Sequence, residues 1–206
     1  ASYVGVHWDY YAQHGALALR IWEGGLLWQG ALIGGLLGTA AICAVRGMPM
    51  MPLLDLMAPG AAVLSIFAWL ACFAAGCAWG VESYPGQRVL WAVSLDLPNL
   101  YGMYEPRVAV QLLGFGWDAL LLACVLLLRG HLKQGGVLFS LWVMLHSLGA
   151  FALGFLRADQ MPTLAGWRFD QLANLGLVAG GAVLGGILAA KASTGTPTSA
   201  KGRGRG

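Results

Sequence analysis

Long uncharged stretches, separated by short charged segments, dominate the hydrophobic pattern of this 206-residue chain. Each stretch can cross roughly 30 Å of hydrocarbon as a helix, which takes about 20 residues. The third stretch is interrupted by one acid, Asp118. The pattern predicts an all-α fold, a polytopic transmembrane bundle of about five helices. The stretches lie between Glu23 and Arg46, Asp55 and Glu82, Arg107 and Arg129, Lys133 and Arg157, and Asp170 and Lys191.

The composition is that of a bilayer protein. Hydrophobic residues make up 58% of the chain and charged residues 10%, and the mean hydropathy is +0.69. The 31 glycines suit close helix packing, and the 9 tryptophans suit the lipid headgroup region. This balance argues against disorder, a disulfide scaffold and a nucleic-acid partner. All the cysteines lie in apolar stretches and are expected to behave as small hydrophobic groups: Cys43, Cys72, Cys77 and Cys124.

Lys and Arg predict the orientation of the helices, because cytoplasmic loops collect positive charge. Placing the end of the first helix inside puts seven basic residues and one acid, Asp55, in the cytoplasm. The opposite side holds five basic residues and seven acids. The C-terminus is therefore expected in the cytoplasm. The cytoplasmic basic residues are Arg46, Arg129, Lys133, Lys191, Lys201, Arg203 and Arg205.

Three segments stand out from the predicted helical domain at 23–191. Residues 1–22 contain several Trp and Tyr residues and are predicted to form an aromatic arm at the outer interface. Residues 81–106 contain three prolines and are predicted to form an external loop within that domain. Residues 192–206 are small, polar and basic, which is typical of a disordered tail near anionic headgroups.

Several motifs occur in a fixed order along the chain. They are HWDYYAQH at 7–14, LRIWEGGLLWQGALIGGLLG at 19–38, LLDLMAPGAAV at 53–63, GCAWG at 76–80, GFLRAD at 154–159, and the single residues Arg107, Gln111, Asp118 and Gln171. In this order they resemble the prolipoprotein diacylglyceryl transferase family, in which an aromatic arm precedes a WxGGxxxHGGxIG helix. The resemblance starts about two membrane helices into the family pattern. A degenerate, N-terminally short member is therefore expected.

The resemblance implies transfer of a diacylglyceryl group from phosphatidylglycerol to a lipoprotein cysteine, at the outer surface of a bacterial plasma membrane. Such a site needs a proton acceptor for the thiol and fixed cations for the phosphate. Arg107 and Gln111, spaced one helical turn apart, are the expected lipid-binding residues. The alternative for Arg107 is an interfacial side chain that only extends its guanidinium to water.

Some positions depart from the family motifs, and the departures remove charges, titratable groups or hydrogen-bonding pairs from the expected site. Gln29 stands at the motif histidine, and an amide takes no proton near neutral pH. His146 stands at a family tyrosine. The other departures are Trp69 at an arginine, Cys72 at an asparagine, and Ala150 and Gly154 at an arginine and a glutamate. These losses predict a pseudoenzyme without catalytic residues.

Asp118, His146 and Gln29 are the polar side chains singled out inside the predicted helices. A carboxylate near mid-bilayer is costly unless it is paired, protonated or in a polar interior, so Asp118 is expected to be protonated or internally hydrogen-bonded. His146 is expected to form an interhelical hydrogen bond rather than to bind haem or chlorophyll. No metal site is expected, because His7 and His14 lack a third ligand in the sequence.

The sequence therefore predicts a noncatalytic accessory or scaffold subunit of a larger membrane complex, with phospholipid and other integral membrane subunits as partners. Glycines spaced four apart, such as Gly76 and Gly80 or Gly181 and Gly185, are expected to form helix-packing ridges. The first alternative is an active phosphatidylglycerol-dependent diacylglyceryl transferase in which Asp118 or His146 has a new role. The second is a pigment- or haem-binding membrane subunit. Apart from bound phospholipid, no cofactor is expected.

Overall fold

Five long helices dominate the computed structural model, within the residues that it describes: 10, 12–15, 28–98, 102–132 and 135–194. Each is long and apolar enough to cross a membrane. The predicted polytopic helical bundle is confirmed, and the chain is a multi-pass membrane protein. The elements are α1 (Trp28–Arg46), α2 (Met50–Ala74), α3 (Arg88–Ala92), β1 (Ser94–Pro98), β2 (Tyr104–Val108), α4 (Val110–Leu128), α5 (Val137–Gly154), β3 (Thr163–Leu164), β4 (Trp167–Arg168) and α6 (Phe169–Thr194).

The chain divides into two compact units. The first, Ala1–Met50 with Gln160–Phe169, contains α1 and the antiparallel pair β3–β4. The second, Met51–Asp159 with Asp170–Gly206, contains α3 to α5, the β1–β2 hairpin and most of α2 and α6. The predicted aromatic arm at 1–22 and the predicted tail at 192–206 lie largely outside the described residues.

Helix α1 ends where a glycine allows the chain to turn. Gly47 has a φ of 64°, the left-handed conformation that glycine adopts without steric cost. The Met48 N–H donates to the Cys43 carbonyl over 3.0 Å, which is the bond expected of a Schellman motif. The boundary predicted from Arg46 therefore coincides with a local stop signal.

The packing of α4 against α5 forms the centre of the second unit. The Trp117 indole N–H donates to the Leu145 carbonyl over 3.1 Å and ties the two helices together. One face of α4 is buried, with a spacing typical of a helix that packs along one side. Polar residues share this face with apolar ones: Val110, Gln111, Gly114, Asp118, Leu121 and Val125.

Asp55 caps α5 from a different helix. Its Oδ2 accepts the Gly136 N–H and its Oδ1 accepts the Phe139 N–H, each over 2.8 Å. The first N–H groups of a helix have no partner within it, and α5 has no side-chain cap of its own at Gly136. An acid in α2 therefore supplies the acceptors at the end of α5 that is predicted to be cytoplasmic.

The segment 81–106 was predicted to be a loop, but it contains regular structure. Helix α3 is followed by the hairpin, in which Ser94 lies opposite Val108 and Pro98 opposite Tyr104. Prolines are uncommon within strands because they cannot donate to the ladder. Because Pro98 lies in β1 and Pro106 in β2, the sequence pattern did not indicate these two short strands.

The expectation that every cysteine behaves as an isolated hydrophobic group is wrong for one pair. Cys72 and Cys77 form a disulfide, whereas Cys43 and Cys124 are free thiols. Helix α2 ends at Ala74, and the turn that follows brings the two sulfurs together.

The helix-packing ridge predicted at Gly76 and Gly80 is also wrong, because both glycines lie beyond the end of α2 at Ala74. Gly181 and Gly185 do line a helix contact, against Ser140 of α5.

Candidate functional site

Residues 79–83 form a strand-like segment at the end of the second unit that is predicted to face outward. On one side they bond to residues 156–158, and on the other side to strand β2. We call this arrangement the outer ribbon. Its backbone hydrogen bonds are Val81 N to Leu156 O (2.8 Å), Ala158 N to Trp79 O (2.9 Å), Ser83 N to Pro106 O (2.9 Å) and Val108 N to Val81 O (3.0 Å).

The outer ribbon places two arginines on the two sides of one segment. Gly80 lies opposite Arg157 and Glu82 lies opposite Arg107, both in antiparallel pairing. Side chains of opposed residues project to the same face, as do those of residues two apart in a strand. Arg107 and Arg157 therefore project from the same face of the ribbon, although they are 50 residues apart in the sequence.

Arg107 is buried between two acids that remain partly exposed. Its Nη2 donates to Glu82 over 2.6 Å and to Glu105 over 3.0 Å, and the exposed fractions of these acidic side chains are 44% and 42%. A hydrogen bond with Glu105, joined by the charge of Arg107, lowers the pKa of Glu82. Arg107 Nε is buried without a hydrogen-bond partner among the described residues.

Gln111 lies in the first turn of α4, 2% exposed. Its Nε2 donates to the Cys77 carbonyl over 2.6 Å, which links α4 to the disulfide turn. Its Oε1 is buried without a partner in the part of the chain that the structure describes. The predicted helical spacing of Arg107 and Gln111 is wrong, because β2 extends to Val108 and α4 begins at Val110.

Arg157 is held more tightly than Arg107. It donates through Nε and Nη2 to Asp159, over 2.8 and 2.5 Å, and its Nη1 lies 3.3 Å from Asp170. Burial alone would lower the pKa of Arg157, but the two carboxylates outweigh it and raise the pKa. Both acids are largely buried, with 14% and 8% of their side chains exposed. Arg157 is therefore fixed in a pre-formed ion cluster.

Three helices meet through polar side chains at Asp118. Asp118 Oδ1 lies 2.7 Å from Nδ1 of His146 in α5, and Oδ2 accepts the indole N–H of Trp69 in α2 over 2.9 Å. Asp118 is completely buried, and Gly114 makes room for the Trp69 ring, which an added Cβ would approach to 2.3 Å. The Trp142 ring stacks on His146 at 5.5 Å. The structure thus brings together two residues that the sequence analysis considered separately.

The third intramembrane polar residue, Gln29, is buried in α1 of the first unit. Its amide cannot act as a proton acceptor near neutral pH. No group of three or more His, Cys, Asp or Glu side chains able to hold a metal ion occurs among the residues described. Asp118 and His146 are therefore the polar pair to consider for proton transfer.

The family model of prolipoprotein diacylglyceryl transferase matches residues 2–188. The chain belongs to this family. A transferase from Clostridium perfringens, named phosphatidylglycerol–prolipoprotein diacylglyceryl transferase 2, is 26% identical over 88% of the chain and 70% of its own length. The corresponding transferases of Staphylococcus saprophyticus and Staphylococcus aureus are 28% and 26% identical, over 86% and 83% of the chain. The chain spans only 64% and 61% of these two relatives.

Membership in the transferase family corrects the main functional interpretation. The relatives matched over most of the chain are named as transferases, which contradicts the prediction of a noncatalytic accessory or scaffold subunit. That prediction treated the altered motif residues together as a systematic loss. In the fold, polar residues from separate helices meet, so the loss of these motif residues does not show that chemistry is lost.

Several partners in the site were not predicted from the sequence. Trp69 was noted only because it stands at an arginine position of the family, yet its indole N–H donates a hydrogen bond to Asp118. Glu82 and Glu105 were not linked to Arg107, nor Asp170 to Arg157. The signal that could have found Glu105 is its alternation with Arg107 in a strand, and the other pairs depend on contacts between distant segments.

Proposed function

We propose that this member of the prolipoprotein diacylglyceryl transferase family transfers the diacylglyceryl group of phosphatidylglycerol to a cysteine thiol of a lipoprotein precursor. In this reaction a C–S bond forms, the C–O bond to phosphate breaks, and glycerol phosphate leaves. The names of the relatives support the activity. The proposal keeps the predicted orientation, with the outer ribbon outside and the C-terminus in the cytoplasm.

Two unpartnered atoms four residues apart carry the proposal. Arg107 Nε is a buried donor and Gln111 Oε1 is a buried acceptor, and neither has a partner among the described residues. Buried polar groups in native proteins are normally hydrogen-bonded, so such atoms indicate a missing ligand or water. A phosphoglycerol headgroup offers both counterparts, because its phosphate oxygens accept and its hydroxyls donate. Arg107 and Gln111 are therefore proposed to bind the headgroup.

The exposure of the neighbouring acids favours Arg107 over Arg157 as the phosphate ligand. Glu82 and Glu105 are nearly half exposed, so they can turn toward water when a phosphate approaches the guanidinium. Asp159 and Asp170 are mostly buried, so separating them from Arg157 would leave uncompensated charges in a buried position, which is strongly destabilising. We therefore assign phosphate binding to Arg107 and a structural role to Arg157.

The direct test is a transfer assay with the full chain in phosphatidylglycerol vesicles and a lipobox peptide, which carries the acceptor cysteine. Mass spectrometry would follow the thioether product, and an enzymatic assay would follow the released glycerol phosphate. Arg107→Gln is expected to lower the rate by about 10²-fold, as for loss of one preorganised donor to a developing anion. Arg88→Gln serves as the matched control, since Arg88 is an exposed arginine at the start of α3.

Absence of any thioether product from the parent chain would overturn the proposed function. Equal rates for the parent and Arg107→Gln would overturn the assignment of the phosphate ligand. Vesicles of phosphatidylethanolamine provide a second comparison, because that headgroup keeps the phosphate but has no hydroxyl. Gln111→Leu is expected to raise KM for phosphatidylglycerol, with the thermal unfolding of each variant measured as a check on folding.

A further inference from the structure

The two acids that bind Arg107 lie where the lipid phosphate is proposed to bind. Glu82 and Glu105 both accept from Arg107 Nη2, over 2.6 and 3.0 Å, while Nε is buried without a partner among the described residues. We propose that Glu82 and Glu105 are specificity residues, which admit the singly charged headgroup of the substrate and expel the more highly charged glycerol phosphate that the reaction releases. This inference rests on the proposed function and names how the headgroup site distinguishes substrate from product.

The proposed reaction changes the charge of the phosphate. In phosphatidylglycerol the phosphate is a diester with one negative charge. When the carbon–oxygen bond to the diacylglyceryl group breaks, its electron pair stays on the phosphate oxygen, and the released glycerol phosphate is a monoester. A phosphate monoester carries about −1.5 to −2 charges at pH 7, because its second pKa is about 6. Substrate and product therefore share the glycerol and phosphate groups and differ in charge.

A phosphate on Arg107 meets both acids at close range. Nε and Nη2 form one edge of the guanidinium, and a phosphate that binds this edge with two oxygens shares Nη2 with Glu82 and Glu105. Since each of these hydrogen bonds is about 2.9 Å long, the phosphate and carboxylate oxygens lie roughly 5 Å apart. Two acids paired with one arginine give this cluster a net negative charge before the phosphate arrives.

The backbone keeps the two acids close even when their side chains turn toward water. Glu82 lies opposite Arg107 in the outer ribbon, and Glu105 lies two residues from Arg107 in β2, so the three side chains project from the same face. Backbone hydrogen bonds hold residues 79–83 against β2. The hydrogen bond with Glu105 and the charge of Arg107 lower the pKa of Glu82, which is therefore ionised at neutral pH. Rotation of a side chain can free Arg107, but the negative charge stays beside the phosphate.

The two acids therefore repel the product more strongly than the substrate. At roughly 5 Å in water, one additional unit of negative charge beside one carboxylate weakens binding by about fourfold, and by more where water is partly excluded. An arginine alone would bind the dianionic product more tightly than the singly charged headgroup, so the product would stay in the site. Glu82 and Glu105 offset this preference and regain Arg107 Nη2 when glycerol phosphate leaves.

Inhibition of the transfer assay by soluble phosphates tests this discrimination. Glycerol phosphate is the monoester, and glycerophosphoglycerol is a diester with a single charge. Their inhibition constants are measured at neutral pH in phosphatidylglycerol vesicles for the parent, Glu82→Gln and Glu105→Gln. An amide oxygen still accepts from Arg107 but carries no negative charge. In each variant, the inhibition constant of glycerol phosphate is expected to fall about three- to tenfold more than that of the diester.

Asp96→Asn is the matched control. Asp96 is an exposed acid of the same hairpin and lies opposite Pro106, so its side chain projects from the other face than Arg107. This variant should leave the ratio of the two inhibition constants unchanged.

If the parent is active and the ratio is the same in the parent and both glutamine variants, this inference fails while the proposed function stands. An equal change of the ratio in Asp96→Asn would assign the effect to surface charge in general and would also overturn the inference. If the parent transfers no diacylglyceryl group, the proposed function and this inference fail together. Thermal unfolding of each variant checks its folding, and Glu82→Gln and Glu105→Gln are independent tests should one of them not fold.

Discussion

The indole N–H of Trp69 and the carboxylate of Asp118 are joined by a 2.9 Å hydrogen bond between α2 and α4, within two membrane-spanning helices. Helix α4 contains no basic residue that could balance this acid. A carboxylate in hydrocarbon is tolerated when partners satisfy its oxygens, and Trp69 and His146 take one oxygen each. The tryptophan therefore helps to satisfy a costly acid within the membrane-spanning helices.

Replacing Trp69 with Phe keeps most of the packing and removes the donor. Because one Asp118 oxygen would lose its partner in a buried position, the free energy of unfolding is expected to fall by about 1–3 kcal/mol. Reversible unfolding in detergent micelles would measure this change. Trp91→Phe is the control, since Trp91 is an exposed tryptophan of α3 and should cost less than about 0.5 kcal/mol. Equal losses in the two variants would contradict the role of the hydrogen bond.

Gly80 is required by a close approach of two backbone segments. A Cβ at this position would lie 2.2 Å from the Val108 carbonyl oxygen, which is far inside contact distance. Gly80→Ala is therefore expected to push residues 79–83 away from β2 and to lower the free energy of unfolding by about 1–3 kcal/mol. Hydrogen exchange at the Val108 amide, which donates to Val81, would report the separation directly.

Gly86→Ala is the matched control for Gly80→Ala. Gly86 also lies in the segment before β1, but an added Cβ there would meet nothing within 4 Å. Its substitution should leave both the stability and the Val108 exchange unchanged. An unaltered exchange rate in Gly80→Ala would show that the ribbon accommodates the methyl group.

The membrane-spanning helices could be predicted because their signal is local. A run of uncharged residues and its flanking charges lie within one segment, and Arg46 lies at the end of α1 in both the sequence pattern and the structure. Asp118 and His146 were also recognisable one at a time, since each is a polar residue in an apolar run. Their pairing was not predictable, because it depends on the register and rotation of α4 against α5.

The outer ribbon shows why the rest of the site escaped prediction. Glu82 and Arg107 meet across 25 residues, and Trp69 and Asp118 across 49. Such contacts leave no periodic pattern in the chain. Strand β2 is only five residues long and contains Pro106, so neither its length nor its composition indicated a strand.

The ion pairs of Arg107 with Glu82 and Glu105 predict how stability changes with pH. The hydrogen bond with Glu105 and the charge of Arg107 lower the pKa of Glu82 in the folded chain. A carboxyl of this kind stabilises the fold above its unfolded pKa of about 4.3, and this contribution is lost as the pH falls through the folded pKa. Between about pH 6 and pH 3, the melting temperature of the parent should therefore fall more steeply than that of Glu82→Gln.

Salt provides the control for this titration. The Glu82 side chain is partly exposed, so its interaction with Arg107 is open to screening by ions. At about 1 M salt the difference in slope between the parent and Glu82→Gln should shrink. If the melting temperatures of the two proteins fell with pH at the same slope at low salt, Glu82 would contribute nothing to acid sensitivity.

Asp55 connects two helices at the end that is predicted to be cytoplasmic. Both of its oxygens accept N–H groups of α5, so Asp55→Ala removes a cap that α5 does not supply itself. Loss of a helix cap costs about 0.5–2 kcal/mol, and the amides of Gly136 and Phe139 should exchange faster in the variant. Asp55→Asn keeps one acceptor oxygen and should fall between the parent and Asp55→Ala. Asp96→Ala, on the exposed part of the hairpin, should leave these amides unchanged. If Asp55→Ala left them equally protected, α5 would hold its first turn through packing alone.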